Sequence, residues 1–563
     1  MKETCRFVLG MVPIVCGAAA LAVQPTVGQL DVLVKAPVVE AEMEVATEGL
    51  THEEYLARHA ALNNWLRGEL PPAALDTPVR VELTPQEIDS FELAVPAVGE
   101  PLQVGVVKPI EPQVQIVGLS RGQAGKQQRR DLHGALSPTG DGGFVWALAV
   151  SSANAGAIRV HLENFSLPDN TELFFYSQGG EAYGPYTGTG PDETGDFWTA
   201  SVFGSEGVLQ LRVAAPATNA DLRKISLSIT EIGHVGRGFL GGDGGVAAFC
   251  TYNANCIENT NCTNVAAVND AENAVAKMLW IAGCCIYTCS GGLIADTETG
   301  SEIPYFLTAN HCLSRNNHAA NLEAFFHYQV NCGVSTCTGT FTDPPDTLIS
   351  GKTLGATVKA TNRVGDYTLL QLNQTPPGGS VFLGWNSTPV ANSNGAVLHR
   401  VSHPSGAPQA YSKHTVDTTA PTCQGWPRGE RIYSRDNIGA TEGGSSGSPV
   451  VNADGKIVGQ LSGSCGFNLG DECDAENNAT VDGAFASYFS QVAPFLDPTP
   501  CTPSAEVCND GIDNDCDGAV DCADSNCSGD PGCACLPSGA SCTSNSQCCS
   551  NNCKGPPGGK TCK

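Results

Sequence analysis

The chain has 563 residues, a formal net charge of -28 at pH 7 and 26 cysteines. At roughly 100–200 residues per domain it holds several units, and so acidic a surface repels phosphate, which sets nucleic acid aside and favours basic peptides and divalent cations as partners. After the N-terminus no run of about eighteen uncharged apolar residues occurs, so no membrane span is expected.

Lys2 and Arg6 flank the start of an apolar run, Phe7 to Val23, that closes on Ala20-Leu21-Ala22. This is the pattern of a cleavable signal over residues 1–22, and it predicts a secreted, extracellular protein. Cysteine usage agrees. Beyond Cys5 and Cys16 none appears before Cys250; twelve then lie between Cys250 and Cys473 and twelve between Cys501 and Cys562. Even sets suit an oxidising compartment and disulfides closed within each block.

Residues 23–101 form a leader rich in Ala, Val, Pro and Glu. In it Thr51 and Glu54 have capping-box spacing ahead of Tyr55, Leu56, Leu62, Trp65 and Leu66, which predicts one helix. Residues 102–235 are all-β in pattern: Phe144–Val150, Ala157–Leu162, Glu172–Tyr176 and Val208–Val213 are apolar or alternating and separated by turn clusters. A β-sandwich is expected there, without a cluster of titratable groups. Glycine dominates the linker at 236–249, where Arg237-Gly238 is the expected processing cut.

Residues 250–499 carry the chemistry. Tyr305–Cys312 is an apolar strand ending in His311 beside Cys312, Gly365–Leu372 sets Asp366 at the head of another, and Glu442–Val450 is a Gly/Ser turn leading into a third. A serine hydroxyl attacks only when an imidazole takes its proton, and the imidazole needs a carboxylate to fix its tautomer. These roles fall to Ser446, His311 and Asp366, with the N–H groups of Gly444 and Ser446 facing the oxyanion. A G-x-S-x-G reading with Ser445 as nucleophile fails, because that order needs a histidine after the serine and the last one is His414. The remaining histidines, among them His318, His327, His399, His403 and His414, lack metal-site spacing.

On these motifs, with Val458-Gly459-Gln460-Leu461, the stretch from about Cys250 to Phe489 resembles the lysyl-endopeptidase branch of the chymotrypsin-like serine proteases. The resemblance implies a double antiparallel β-barrel, peptide substrates, no cofactor for catalysis and three disulfides: Cys250–Cys465, Cys256–Cys332 and Cys289–Cys312. It places the side-chain pocket between Ser462-Gly463-Ser464 and Ala440–Gly443, Glu442 included. It sets Thr480 where the family carries an aspartate for the lysine ammonium, so the basic preference expected is weak. The 102–235 segment loosely resembles the pro-regions ahead of such enzymes, and a zymogen is expected.

In the tail, Asp513, Asp515, Asp517, Asp521 and Asp524 fit the ligand positions of a calcium loop within a Cys-rich segment at 500–534. Residues 535–563 have the cysteine spacing of a knottin, a docking or capping module. The fold class expected is all-β and multidomain. The rival from another class is a non-catalytic adhesion or carbohydrate-binding protein that uses the sandwich and the Cys-rich tail.

Overall fold

The computed structural model describes residues 39–119, 133–236 apart from 179, 216 and 217, 254–333, 347–348 and 351–498. It adds the short pieces 505–508, 525–527, 553–555 and 560–562. The signal segment, Arg237-Gly238, Cys250, the Asp513–Asp524 loop and most of the knottin-like module lie outside the described residues.

Thr51 opens the leader helix His52–Glu69 with a full capping box: its N–H donates to Glu54 Oε2 at 2.9 Å and its hydroxyl accepts from Glu54 N–H at 3.3 Å. The face it buries is Tyr55, His59, Asn63 and Leu66, whereas Trp65 stays outside against Phe174. A second helix, Pro85–Glu92, was not expected; Thr84, Pro85 and Glu87 supply the same cap with proline in the first turn. The leader also pairs with distant strands, Glu40–Ala41 on Trp385–Asn386 and Glu44–Val45 on Val381–Phe382.

Residues 102–235 fold as two packed sheets. One carries Leu102–Val117, Ser226–Val235 and Ala157–Ser166; the other carries Phe144–Ser152, Glu206–Val213, Thr171–Tyr176 and Ala182–Tyr186. Their facing side chains, Trp146, Leu148, Val160, Leu162, Phe175, Leu211 and Ile229 among them, make one apolar core.

Two β-barrel units follow. In the first, strands run in the order Gly351–Leu354, Glu323–Phe326, Val275–Ala282, Cys285–Leu293, Tyr305–Thr308, Tyr367–Leu372 and Ala356–Asn362, and the sheet stays open. The second closes on itself: Ile457–Gly466, Pro449–Val451, Val397–Ser402, Ala410–Val416, Arg431–Ile438 and Asn478–Ala484, the last pairing back on the first. The sandwich and the open barrel share a sheet, because Leu102–Val106 pairs with Thr288–Cys285 while the rest of that strand pairs with Ser226–Val235. Buried charges tie the same junction. Glu323 of the open barrel meets Lys352 at 2.8 Å and Arg159 of the sandwich at 3.6 Å, and accepts from the Ser201 N–H at 2.8 Å. Such charges are tolerated out of water only when paired.

The disulfides correct the expected pairing. Cys256 bonds Cys473, Cys262 bonds Cys332, Cys423 bonds Cys465 and Cys289 bonds Cys312. Cys250–Cys465 and Cys256–Cys332 are therefore replaced. Between residues 250 and 499 C-x5-C spacing occurs twice, at Cys250/Cys256 and at Cys256/Cys262, and the fold uses the second. Asn259 and Asn261 donate side-chain hydrogen bonds to the Val330 carbonyl, which brings the turn holding Cys262 beside Cys332. Cys284 and Cys285, adjacent at a hairpin turn, are free.

Candidate active site

Strand pairing assembles the first half of the site. Tyr305–Thr308 runs antiparallel to Tyr367–Leu372, with Thr308 opposite Thr368, so the turn after one and the residue before the other meet at the same end. His311 Nδ1–H donates to Asp366 Oδ2 at 2.9 Å, and the His311 backbone N–H donates to Oδ1 at 3.0 Å. Both side chains are nine-tenths buried. Asp366 sits at φ 52°, in the left-handed region that an aspartate tolerates better than most residues. Its carbonyl accepts from Asn310 N–H and from Gln460 Nε2, and Gln460 Oε1 in turn accepts from the Tyr488 hydroxyl. Gln460 and Tyr488 belong to the second barrel and its closing helix; as a support for Asp366 they have no sequence signal beyond the Val-Gly-Gln-Leu run.

The Gly/Ser turn supplies the second half. Ser445 and Ser448 are fully buried, and Ser445 Oγ accepts from Ser402. Ser446 is only half-buried, so it alone of the three offers a hydroxyl to the cleft. A hydrogen bond and a disulfide tie it to His311: its carbonyl accepts from Ser290 N–H at 2.8 Å, and the neighbouring Cys289 is bonded to Cys312, next to His311. Ser290 Oγ also donates to the Gly444 carbonyl at 2.9 Å. His311 Nε2 is buried and has no hydrogen-bond partner among the described residues, so the hydroxyl of Ser446 does not yet close on it. His311 and both sulfurs lie within 4.8 Å of one another, but the sulfurs are bonded to each other and offer no thiolate to a metal.

Glycine is needed at two places in this turn. Gly444 has φ 96°, and a Cβ there would stand 2.8 Å from the His403 carbonyl oxygen. At Gly447 a Cβ would stand 2.5 Å from the Ser290 carbonyl oxygen. The N–H groups of Gly444 and Ser446 enter no backbone hydrogen bond among the described residues, which leaves both donors for a substrate oxygen. His403, at the edge of this turn, is pushed down to about 3 by burial and stays neutral; its Nδ1–H donates to the Ala407 carbonyl at 2.9 Å.

The expected pocket residues divide. Ser462, Gly463 and Ser464 lie on the strand Ile457–Gly466, and Ser462 Oγ is buried with no hydrogen-bond partner among the described residues. Ala440 packs with Ile257 and Ala410 in an apolar cluster. Both oxygens of Glu442 are engaged, Oε1 by Ala254 N–H at 2.7 Å and Oε2 by the Ser405 hydroxyl at 2.7 Å. Thr480 donates to Asp436 Oδ1 at 2.7 Å, and Asp436 is a neighbour that the sequence reading missed. Over the same surface runs the leader. A Cβ at Gly443 would stand 2.7 Å from Pro96 Cγ, and one at Gly463 would stand 3.0 Å from Val98 Cγ1.

Known proteins match both halves of the chain. Residues 244–480 match the lysyl endopeptidase C-terminal domain, and residues 84–236 match the lysyl endopeptidase N-terminal domain. A lysyl endopeptidase of Pseudomonas aeruginosa is 27% identical over 419 residues, covering 72% of this chain and 83% of that protein. The secreted RxLR effector protein 73 of Plasmopara viticola is 32% identical over 203 residues, 33% of this chain and 44% of that protein. Among solved structures, the active form of the Rv3671c protease from M. tuberculosis aligns with a TM-score of 0.27 and 17% identity, covering 41% of this chain and 85% of that one. The HtrA-type protease AlgW with tripeptide aligns at 0.29 and 16%, covering 41% and 62%.

Proposed function

The chain belongs, through residues 84–236 and 244–480, to the lysyl-endopeptidase branch of the trypsin-like serine proteases, and from that premise we propose that it is the secreted precursor of a serine endopeptidase acting through Ser446, His311 and Asp366. The observation that carries this reading is the buried His311–Asp366 pair, tied through the Cys289–Cys312 bridge to the half-exposed Ser446.

In the reaction, Ser446 Oγ attacks the scissile carbonyl carbon while its proton passes to His311 Nε2. Asp366 fixes the imidazole tautomer and stabilises the imidazolium. The N–H groups of Gly444 and Ser446 receive the oxyanion. Collapse expels the amine, which takes the proton from His311. Water, deprotonated by the same nitrogen, then hydrolyses the ester on Ser446 and restores the hydroxyl.

A pro-enzyme form is supported by the leader segment Pro96–Gly99, which lies against Gly443 and Gly463 where a substrate backbone would run. Secretion is supported by the N-terminal signal pattern, by the disulfides, and by the lack among the described residues of a helix long and apolar enough to cross a membrane. The preference is weak and for a basic side chain before the scissile bond, in keeping with the acidic surface. Calcium held by Asp513, Asp515, Asp517, Asp521 and Asp524 is the tail's part of this reading and rests on the register of the sequence. Calcium should slow proteolysis of the tail, and a digestion rate that calcium leaves unchanged would remove it.

The test is to treat the secreted, processed protein with a fluorophosphonate and to map the modified peptide. Modification is expected on Ser446; labelling of another serine, or none on protein that hydrolyses peptides, would overturn the assignment.

A further inference from the structure

The specificity pocket of the family is expected to draw its negative charge from the strand position that Thr480 holds here, and threonine carries none. Resting on the serine-endopeptidase reading above, we infer that Asp436, one strand over, supplies the carboxylate that receives a basic side chain before the scissile bond.

The register of the closed barrel places it. Thr480 is paired with Ser464 of the pocket wall on one side and with Ser434 on the other. Ile432, Ser434 and Asp436 alternate onto one face of their strand, and Ile432 sits in the barrel core, so Asp436 faces inward, two residues beyond the row Ser434–Thr480–Ser464. Thr480 Oγ1 donates to Asp436 Oδ1 at 2.7 Å, and His414 Nδ1–H donates to the same oxygen at 2.6 Å; His414 Nε2 accepts in turn from Ser412 Oγ at 2.7 Å. Two donors thus fix one carboxylate oxygen. The side chain keeps 13% of its surface, whereas His414 behind it keeps none. Asp436 is therefore a held carboxylate at the open end of a buried polar chain.

The other acids near the pocket are either engaged by other groups or stand exposed in the loop after Cys465. Both oxygens of Glu442 are engaged. Asp482 is buried against Arg400 at 2.6 Å. Asp474 accepts from Asn468 and Asn477 within its own loop, where Asp471, Glu472 and Glu476 are exposed. Arg435, the neighbour of Asp436, points to the opposite face, pairing with Asp417 at 3.0 Å and donating to the Asn478 carbonyl at 2.8 Å.

The measurement is a ratio, kcat/KM for a lysine peptide over its norleucine analogue, taken on the secreted, processed enzyme. Wild type should favour lysine by roughly 10²-fold or more, the scale of a charge lost from a desolvated pair. Asp436→Asn should bring the ratio close to one, and Asp436→Asn with Thr480→Asp should restore most of it by returning the charge to the neighbouring strand. A lysine preference that survives Asp436→Asn, or a wild type without one, would sink the inference. So would a fall of both substrates in step while Ser446 still reacts with a fluorophosphonate. Failure of Ser446 to react in wild type would instead defeat the serine-endopeptidase reading itself. Should Asp436→Asn not fold, Asp436→Glu keeps the charge and moves it by one methylene, and an unchanged lysine-to-arginine ratio in that variant would count equally against the assignment.

Discussion

The two barrels contribute unequally to one cleft. The open barrel has an apolar interior, with Trp280, Leu293, Phe306, Leu307, Phe326, Leu369 and Leu370 among its core, and its sheet continues only through a strand of the preceding sandwich. The closed barrel needs no borrowed strand, and its interior carries Arg400 paired with Asp482, both without exposed surface, as well as the Ser412–His414–Asp436–Thr480 chain. The first barrel therefore brings the His311–Asp366 pair on a scaffold that leans on the sandwich. The second brings Ser446 and the Ser462–Ser464 strand on a scaffold held by its own polar core. Apolar burial fills space without direction, whereas a buried ion pair fixes geometry at a cost in desolvation.

The largest expected effect joins the two units. His311→Ala in the open barrel and Ser446→Ala in the closed one should each lower kcat by about 10⁶, and the double variant should lose little more, because the groups act as one device. Additive losses in steady-state kinetics would mean that the barrels contribute independently.

A smaller effect separates the interiors. Arg400→Met leaves Asp482 buried and uncompensated and should cost about 3–5 kcal/mol in urea unfolding, while Arg400→Met with Asp482→Leu should recover most of it. A double variant as unstable as the single one would show that the pair is held for more than charge balance; Arg400 also donates to the Ser448 carbonyl and hydroxyl.

The smallest concerns the junction with the open barrel alone. Glu181 of the sandwich accepts hydrogen bonds from Phe203 N–H and the Tyr183 hydroxyl, and burial pushes its carboxyl up to about 7. A raised carboxyl is protonated in the folded state before it is in the unfolded one. Its contribution is full below about pH 4.5 and is lost as pH rises through 7. His59 beside it is pushed down to about 3 by burial and changes stability in the opposite sense, so the informative quantity is the difference from Glu181→Gln. That variant should match wild type near pH 4.5 and exceed it by up to about 3 kcal/mol above pH 7. A gap that does not change with pH would contradict the burial of an ionisable group there.

Much of the architecture is legible in the sequence because it is written locally. Alternation marks the sandwich strands, and the Thr51 cap needs only its own four residues. The motifs around His311, Asp366 and Ser446 each announce a strand end or a turn. What the sequence hides depends on register between distant segments. Two identical C-x5-C spacings cannot be told apart without knowing which turn lies beside Cys332. The helix at Pro85–Glu92 has a cap signal as good as that of Thr51, but it sits in a proline-rich leader and is short. Leu102–Val117 shows its strand character, yet nothing in it says that its first residues pair with Thr288–Cys285. Asp436 is one of many acids until the pairing of Thr480 with Ser434 puts it beside Thr480.

The shared strand changes what cutting the chain accomplishes. Hydrolysis of one bond in the linker removes a tether but leaves Leu102–Val106 on its ladder, the leader strands at Glu40–Ala41 and Glu44–Val45 on theirs, and the Glu323 charges paired. A linked segment rebinds at an effective concentration of order millimolar, and after cleavage only the bulk concentration remains. On the pro-enzyme reading proposed above, release of activity is governed by dilution and by destruction of the freed segment, so active enzyme should appear with a lag that shortens as the secreted protein is diluted or as protease already present digests the leader.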